Sequence, residues 1–242
     1  MTVFFIGAGP GDPDLITVKG QRLVHRCPVI LYAGSLVPAA VLDGHQARQC
    51  INTAELDLDQ IVALIAQAHR AGDDVARVHS GDPSLYGAIG EQMRRLRALG
   101  IPYEIVPGVT AVAACAATLG CELTLPDVAQ TVILTRYAHK TTMPAGEALA
   151  DLARHRTTMA IHLGVRHLAR IVQDLLPQYG SACPVAVVFR ASWPDEDRVR
   201  GTLADIVEKV QPTDQSRTAL ILVGDVLAQD GFSDSTLYGK TP

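Results

Sequence analysis

The sequence lacks the cysteine pattern of a disulfide-stabilised or zinc-binding protein. Its cysteines are odd in number, scattered and without a Cys-x-x-Cys pair; they are Cys27, Cys50, Cys115, Cys121 and Cys183. A disulfide framework needs an even set of cysteines, and a zinc site needs closely spaced ligands. The pattern therefore argues against both classes and is typical of a protein from the reducing cytoplasm.

An excess of positive charge is also missing. The chain has 21 Lys and Arg residues but 25 Asp and Glu residues, which gives a net charge of −4. This balance produces no overall basic field, and no basic stretch with interleaved aromatic residues suggests RNA stacking. We therefore expect a protein that binds neither nucleic acid nor a membrane surface.

Long apolar runs are the third absence. The most apolar stretch, residues 105–119, contains Pro107 and Gly108 and is shorter than the roughly 20 residues needed to cross a bilayer. The chain starts with a strand-like apolar run and no basic segment, so we expect no secretory signal. Hydrophobic residues still make up 48% of the 242 residues, which is enough for a sizeable core.

What is present is an α/β pattern. In the first half, short apolar runs alternate with helical periodicity, which predicts a mostly parallel sheet with crossover helices. The second half has denser strands, some of them in antiparallel order, which predicts a mixed sheet. The predicted strands span residues 3–6, 29–32, 75–79, 103–106, 131–135, 159–163, 185–190, 199–203 and 219–223. We predict two α/β domains, 1–121 and 122–242, with a ligand cleft between them and a loosely held tail over 229–242.

A glycine-rich turn, GAGPGDP at residues 7–13, follows the first strand. A dinucleotide fingerprint needs its third glycine one place later, where Asp12 would repel a pyrophosphate, and an acidic residue about 20 positions on. The chain has no Asp or Glu between Leu15 and Leu42. Asp12 and Pro13 instead suit the start of a helix.

Two further turns weaken the purely structural interpretation. The segment SGDPSLYG, residues 80–87, follows another strand, and VPGVTA, residues 106–111, spans the end of the next strand and the turn after it. Ligands of open α/β sheets bind at the carboxyl ends of the strands. The three turns together therefore predict one crevice in which a ligand meets backbone groups rather than charged side chains.

These segments resemble a known family, the tetrapyrrole (corrin and porphyrin) methyltransferases, which use S-adenosylmethionine. The resemblance covers nearly the whole chain in the right order: VFFIGAGPGDPDLITVKG (3–20), VHSGDPSLYG (78–87), VPGVTA (106–111), AIHLGV (160–165) and ALILVGDV (219–226). It implies an enzyme of two α/β domains that forms an obligate homodimer. The segment LYAGSLVP (31–38) resembles the branch that methylates carbon 11 of precorrin-4, with or without cobalt, to give precorrin-5 in cobalamin (vitamin B12) biosynthesis.

The resemblance also implies the residues that bind the donor. Many members have glycine where this chain has Ser80 and Ala191. The implied contacts are Pro10, Ser80, Gly81, Asp82, Leu85, Thr110 and Ala111 in the first half, and Leu163, Ala191 and Ala219 in the second.

Asp12 and Tyr86 are the candidate catalytic residues, and neither role is assigned. Asp12 either contacts the macrocycle or only caps a helix, and Tyr86 either lines the cleft or only packs. Asp82 has the same alternative, as the cap of a helix beginning at Pro83.

The macrocycle bears acetate and propionate groups, so basic side chains should bind it. Arg136 is the first candidate for a carboxylate clamp and Arg190 the second, since each lies at the end of a predicted strand of the second half. His162 and His167 have no further ligand at metal spacing, so we expect no metal site.

Two alternatives stay open. The same fold could methylate a ribosomal RNA ribose or a translation factor, although the segment at 31–38 argues against this. A non-catalytic nucleotide- or NAD-binding module is disfavoured by Asp12 and by the missing acidic residue.

Overall fold

The structure is a computed structural model that describes residues 1–138, 141–210, 218–228 and 232–234. The chain divides into two compact units, Met1–Ala114 with Ser192–Pro194, and Cys115–Ala191 with Asp195–Pro242. Each unit contains one five-stranded sheet. The boundary after residue 121 stays a prediction, and most of the tail predicted at 229–242 lies outside the described residues.

The first unit is built on a parallel sheet in the order β3-β2-β4-β1-β5. Strand β1 lies between β4 and β5, so the chain segments after these three strands leave the sheet side by side. The strands are β1 (Val3–Gly7), β2 (Val29–Tyr32), β3 (Gln49–Asn52), β4 (Val75–His79) and β5 (Tyr103–Val106). The helices are α1 (Val18–Arg26), α2 (Leu58–Arg70), α3 (Gly90–Ala98) and α4 (Ala111–Leu119), the last of which crosses the division between the units.

Side chains alternate between the two faces of this sheet, and helices pack on both faces. Phe5 lies in the cluster that includes Ile65 of α2 and Leu96 of α3. Ile6, on the opposite face, lies in the cluster that includes Leu23 of α1. Burial on both faces explains why β1 and β2 are continuous apolar runs in the sequence.

The second unit has a mixed sheet in the order β6-β7-β10-β8-β9. Only β6 and β7 are parallel, and the other three pairs are antiparallel. Its elements are β6 (Val132–Arg136), α5 (Leu149–Leu152), β7 (Thr158–His162), α6 (Leu168–Tyr179), β8 (Pro184–Phe189), β9 (Asp197–Thr202), α7 (Ile206–Lys209) and β10 (Ala219–Val223). The predicted fold class, α/β with a parallel first sheet and a mixed second sheet, is confirmed.

Two predicted helix starts differ from the structure. Asp12 and Pro13 begin only a short 3₁₀ turn, Pro13–Leu15, and α1 starts at Val18 with Thr17 as its cap. The helix predicted from Pro83 is wrong, since residues 83–86 form a turn and α3 begins at Gly90. Tyr86 has a φ of 56°, which no right-handed helix accommodates.

No helix among the described residues is long and apolar enough to cross a membrane.

Candidate functional site

Three loops meet at the carboxyl edge of the first sheet. The loops that follow β1 and β4 form an isolated antiparallel bridge between Gly9 and Gly81. The Gly81 N–H donates to the Gly9 carbonyl at 2.7 Å, and the Gly9 N–H donates to the Gly81 carbonyl at 3.3 Å. The loop after β5 joins them at Gly108. The structure therefore brings together the three turns that the sequence placed at one crevice.

The approach of these loops is close enough to require glycine. A Cβ atom on Gly108 would lie 2.2 Å from the Gly81 carbonyl oxygen, and one on Gly7 would lie 2.6 Å from the Gly108 Cα. Real Cβ atoms do not approach backbone atoms this closely. Backbone groups, rather than side chains, therefore form the centre of the site.

The Asp82 side chain connects the second loop to the third. Its Oδ2 accepts from the Gly108 N–H at 2.9 Å, and its Oδ1 accepts from the Ser84 N–H at 2.8 Å and from the Ser84 hydroxyl. Burial alone would raise the pKa of this carboxyl, but the hydrogen bonds from Ser84 and Gly108 outweigh burial and lower it. Asp82 thus stabilises the loops in its charged form, and it caps the turn at residues 83–86 instead of the predicted helix.

An Asp82→Ala variant is expected to lose about 1–2 kcal/mol of folding free energy, because it removes an acceptor shared by two loops. Urea denaturation at pH 7 measures this loss. Ser84→Ala removes one of the three hydrogen bonds and should cost less than half as much. Equal costs for the two variants would contradict a link between the loops.

Asp12 is the cap of the short turn that follows the first loop. Its Oδ1 accepts from the Asp14 N–H at 2.9 Å, and its own N–H donates to the Ser192 hydroxyl at 3.0 Å. The carboxylate therefore caps a short 3₁₀ turn instead of the predicted helix, and it does so through Oδ1. The contact with a macrocycle stays a prediction. Pro10, two residues earlier, is buried, and its carbonyl accepts from Trp193 Nε1 at 2.8 Å.

The other candidates of the first unit lie at the same edge. Leu85 and Tyr86 occupy the turn after β4, where Tyr86 is 45% exposed. Thr110 directly precedes α4, and its hydroxyl accepts from the Ala113 N–H at 3.3 Å. Ala111 is the first residue of α4.

The three second-unit candidates lie at the same end of the second sheet. Leu163 directly follows β7, Ala191 lies two residues after β8, and Ala219 begins the antiparallel β10. The register pairs His162 with Leu220, and Phe189 with Ala219, so all three positions lie at one end of the sheet. Leu163 has a φ of 57° and is 61% exposed, which is unusual for a large apolar residue.

The guanidinium groups of both predicted clamps have protein partners. Arg136 donates to the Thr142 carbonyl at 3.0 Å, to the Thr141 carbonyl at 3.2 Å and to the Tyr137 carbonyl at 3.3 Å. Arg190 Nε lies 2.6 Å from Asp195 Oδ1. Each arginine therefore stabilises its own loop, and binding of a substrate carboxylate stays a prediction for both.

Two histidines, His79 at the end of β4 and His162 at the end of β7, are neutral at pH 7. Burial, with a smaller contribution from the charge of Arg77, lowers the pKa of His79 to about 3. Burial lowers the pKa of His162 to about 4. A group with so low a pKa is a poor base at neutral pH. Among the described residues no group of three His, Cys, Asp or Glu side chains could hold a metal ion.

Comparison with known proteins identifies the family to which this chain belongs. The family model for tetrapyrrole (corrin/porphyrin) methylases matches residues 2–207 of the chain. The chain belongs to this family.

Named relatives of this tetrapyrrole methylase align along nearly its whole length. The precorrin-4 C(11)-methyltransferase of Pseudomonas aeruginosa is 76% identical over 238 residues, which cover 98% of this chain and 95% of that protein. The X-ray structure of a cobalamin biosynthetic enzyme, cobalt precorrin-4 methyltransferase, matches with a TM-score of 0.90 at 42% identity, covering 93% of this chain and 95% of that one. Uroporphyrin-III C-methyltransferase from Thermus thermophilus, solved with S-adenosylhomocysteine, matches with a TM-score of 0.79 at 31% identity, covering 95% of this chain and all of that one.

Sequence reasoning missed two contacts of this tetrapyrrole methylase site. Ser192 and Trp193 belong to the first unit and bind the loop that contains Pro10 and Asp12. The mixed charges of WPDEDRVRG, residues 193–201, predict an exposed hairpin that would include Trp193, and Ser192 lies outside that run. The only signal was that Trp193 is the single tryptophan of the chain.

Proposed function

We propose that the chain transfers a methyl group from S-adenosylmethionine to carbon 11 of precorrin-4, giving precorrin-5 in cobalamin biosynthesis. The observation that supports this most directly is the 76% identity to the Pseudomonas aeruginosa precorrin-4 C(11)-methyltransferase over 98% of this chain. The neighbour cobalt precorrin-4 methyltransferase supports the same class of substrate and leaves the cobalt complex of precorrin-4 as a second form of it.

The loops of the first sheet suit a donor that is a cation without phosphates. Asp12 and Asp82 are carboxylates at the edge where a pyrophosphate would need positive partners, and a carboxylate favours a sulfonium instead. A Cβ built on Gly81 has no neighbour closer than 4.0 Å, so space is open beside the second loop. The residues proposed to hold the donor are Pro10, Ser80, Gly81, Asp82, Leu85, Thr110 and Ala111, with Leu163, Ala191 and Ala219 of the second unit.

The chemistry needs placement more than it needs a strong base. When bound, S-adenosylmethionine supplies the methyl group on an activated sulfonium, and the methyl–sulfur bond breaks as the new carbon–carbon bond forms. Rigid loops can contribute several kcal/mol by holding the reacting atoms about 3 Å apart. The glycine-to-glycine bridge and the Asp82 link supply that rigidity in the first unit. Asp12 and Tyr86 are the residues we propose for macrocycle contact or proton movement.

An Arg136→Ala variant should raise the KM for precorrin-4 about tenfold, since a charge-assisted hydrogen bond to a substrate carboxylate would be lost. The affinity for S-adenosylhomocysteine, measured by calorimetry, should stay within about twofold. Arg170→Ala is the control, because Arg170 lies on the exposed surface of α6. Equal losses of donor and macrocycle affinity would mean that Arg136 acts only on its own loop. Arg190→Ala tests the second proposed clamp in the same way.

Incubation with precorrin-4 and a methyl-labelled donor tests the function directly. We expect one added methyl group by mass, located on carbon 11 by carbon NMR. Methylation at another carbon, or no product, would overturn the proposal. Calorimetry separates the alternatives, since tight binding of NAD without affinity for S-adenosylhomocysteine would favour a nucleotide-binding module.

We also propose that the chain is a cytoplasmic homodimer. The family resemblance supports the dimer, and the five unpaired cysteines support a reducing compartment. Burial raises the pKa of Cys115 and Cys183 to about 12, so these thiols are unreactive. Light scattering during size-exclusion chromatography tests the dimer, and a monomer mass would overturn it.

A further inference from the structure

The residues on either side of Gly11 are held by two side chains from far along the sequence. Trp193 Nε1 donates to the carbonyl of Pro10 at 2.8 Å, and the hydroxyl of Ser192 accepts from the N–H of Asp12 at 3.0 Å. The Pro10 carbonyl belongs to the peptide group before Gly11, and the Asp12 N–H belongs to the peptide group after it. Both peptide planes are therefore fixed by the same pair of residues.

Gly11 itself lies against the indole ring. A Cβ on Gly11 would lie 2.2 Å from Trp193 Cδ1 and 2.5 Å from Nε1, so the ring packs directly on the backbone. Gly11 is buried, and so is Pro10. The loop between the proposed donor contact and the proposed macrocycle contact is thus covered by Trp193 rather than open to solvent.

The indole also lines a cavity of about 700 Å³ in the first unit. Tyr32, Val37 and Pro38 line the same cavity, and all three belong to the LYAGSLVP segment. Trp193 is therefore in contact with the glycine-rich loop and also lines the same cavity as the LYAGSLVP segment.

The backbone at Ser192 is strained in a way that supports a specific role. Ser192 has a φ of 66°, a left-handed conformation that non-glycine residues rarely adopt. Such conformations persist where the surrounding contacts over-determine them, and they concentrate at functional sites. In this conformation the Ser192 hydroxyl accepts from the Asp12 N–H, and the ring of the next residue, Trp193, packs on Gly11.

We propose that Ser192 and Trp193 are positioning residues for methyl transfer. They fix the two peptide groups around Gly11 and so set where Pro10 meets the donor and where the Asp12 carboxylate points. This inference rests on the proposed function. It differs from a purely structural role because it predicts loss of turnover in variants whose folding is intact.

Two variants, each of which removes one of the two hydrogen bonds beside Gly11, test the proposal. Ser192→Gly removes the hydroxyl and relieves the left-handed strain, so its Tm should equal or exceed that of the wild type. Trp193→Phe keeps an aromatic ring against Gly11 and removes the N–H donor. Loss of one hydrogen bond at the site should lower kcat about fivefold in each variant, with the KM for precorrin-4 within about twofold. Ser181→Gly, at an exposed turn of the second unit, should retain the wild-type kcat.

Three outcomes would overturn the inference. The first is a kcat within twofold of the wild type for both Ser192→Gly and Trp193→Phe. The second is a fall in kcat that matches the loss of folded protein in the thermal melt. The third is a wild-type chain without activity on precorrin-4, which would overturn the proposed function and this inference with it. An active wild type with fully active variants would overturn the positioning role alone.

Discussion

A Gly108→Ala variant is expected to lose about 3 kcal/mol or more of folding free energy and about 100-fold in affinity for S-adenosylhomocysteine. The new methyl group would lie 2.2 Å from the Gly81 carbonyl oxygen and 2.8 Å from the Gly7 Cα. Both neighbours are backbone atoms, so no side chain can rotate away. The loops after β1, β4 and β5 would have to separate, and the Gly108 N–H would lose its hydrogen bond to Asp82.

Gly90→Ala is the matched control for this change. Gly90 begins α3, and a Cβ built there has no heavy atom within 4 Å. Alanine should be neutral or slightly stabilising at that position, because it favours the helix. Urea denaturation measures stability for both variants, and calorimetry measures donor affinity. Wild-type affinity in Gly108→Ala would mean that the three loops do not form the donor site.

Most of the first sheet was predictable from the sequence. Strands β2, β4 and β5 match their predicted limits, and β2 gives the clearest signal because a strand buried on both faces is a continuous apolar run. Strand β3 was missed because Gln49 and Cys50 are exposed at the sheet edge and give no apolar signal. In the second sheet the predicted limits of β6, β7 and β8 differ by one residue at each end, since the ends of an element are the least distinct part of its sequence pattern.

The site was predictable only as far as chain order determines it. Three turns after adjacent parallel strands must meet at one edge, and they do so at Gly7, Gly81 and Gly108. The contact between Trp193 and Pro10 spans 183 residues and depends on tertiary packing, which local patterns do not encode. The turn at Tyr86 was mistaken for a helix because Asp82 and Pro83 are good starting residues, whatever follows them.

Buried polar groups were the least predictable part of the fold. The sequence shows Arg77 and His79 only as alternate residues of an apolar strand, and both are almost fully buried. Arg77 Nε donates to Gln92 Oε1 at 3.2 Å, and its Nη1 donates to the Leu31 carbonyl at 3.3 Å. Burial lowers the pKa of Arg77 to about 10, so the side chain remains charged at neutral pH. A fixed positive charge beside His79 opposes protonation of the imidazole.

This arrangement predicts that folding stability is sensitive to mild acid. Burial, and then the charge of Arg77, lowers the pKa of His79 from 6.5 to about 3 in the folded chain. Between these two pH values the unfolded chain binds a proton that the folded chain does not. Above pH 6.5 His79 is neutral in both states and does not reduce the free energy of unfolding. As the pH falls from 6.5 towards 3, His79 lowers the free energy of unfolding by up to about 1.4 kcal/mol per pH unit.

A His79→Leu variant isolates this contribution because leucine has a similar size and does not titrate. His79 Nε2 is buried without a hydrogen-bond partner among the described residues, so the change should cost less than about 1 kcal/mol at pH 7.5. At pH 4.5 the variant should be more stable than the wild type by about 2–3 kcal/mol, relative to their difference at pH 7.5. Urea denaturation at the two pH values measures both differences.

His162 gives the matched comparison in the second unit. Burial lowers its pKa to about 4, so His79→Leu should keep part of the acid sensitivity of the wild type. A double variant with His162→Leu should lose most of the acid sensitivity that these two histidines cause. The loss of stability that remains below about pH 4 would come from the carboxylates. If His79→Leu loses stability in parallel with the wild type from pH 7.5 to 4.5, His79 is protonated in the folded chain. The imidazole would then be accessible to water, and the close packing of the β4 end beside Arg77 would be wrong.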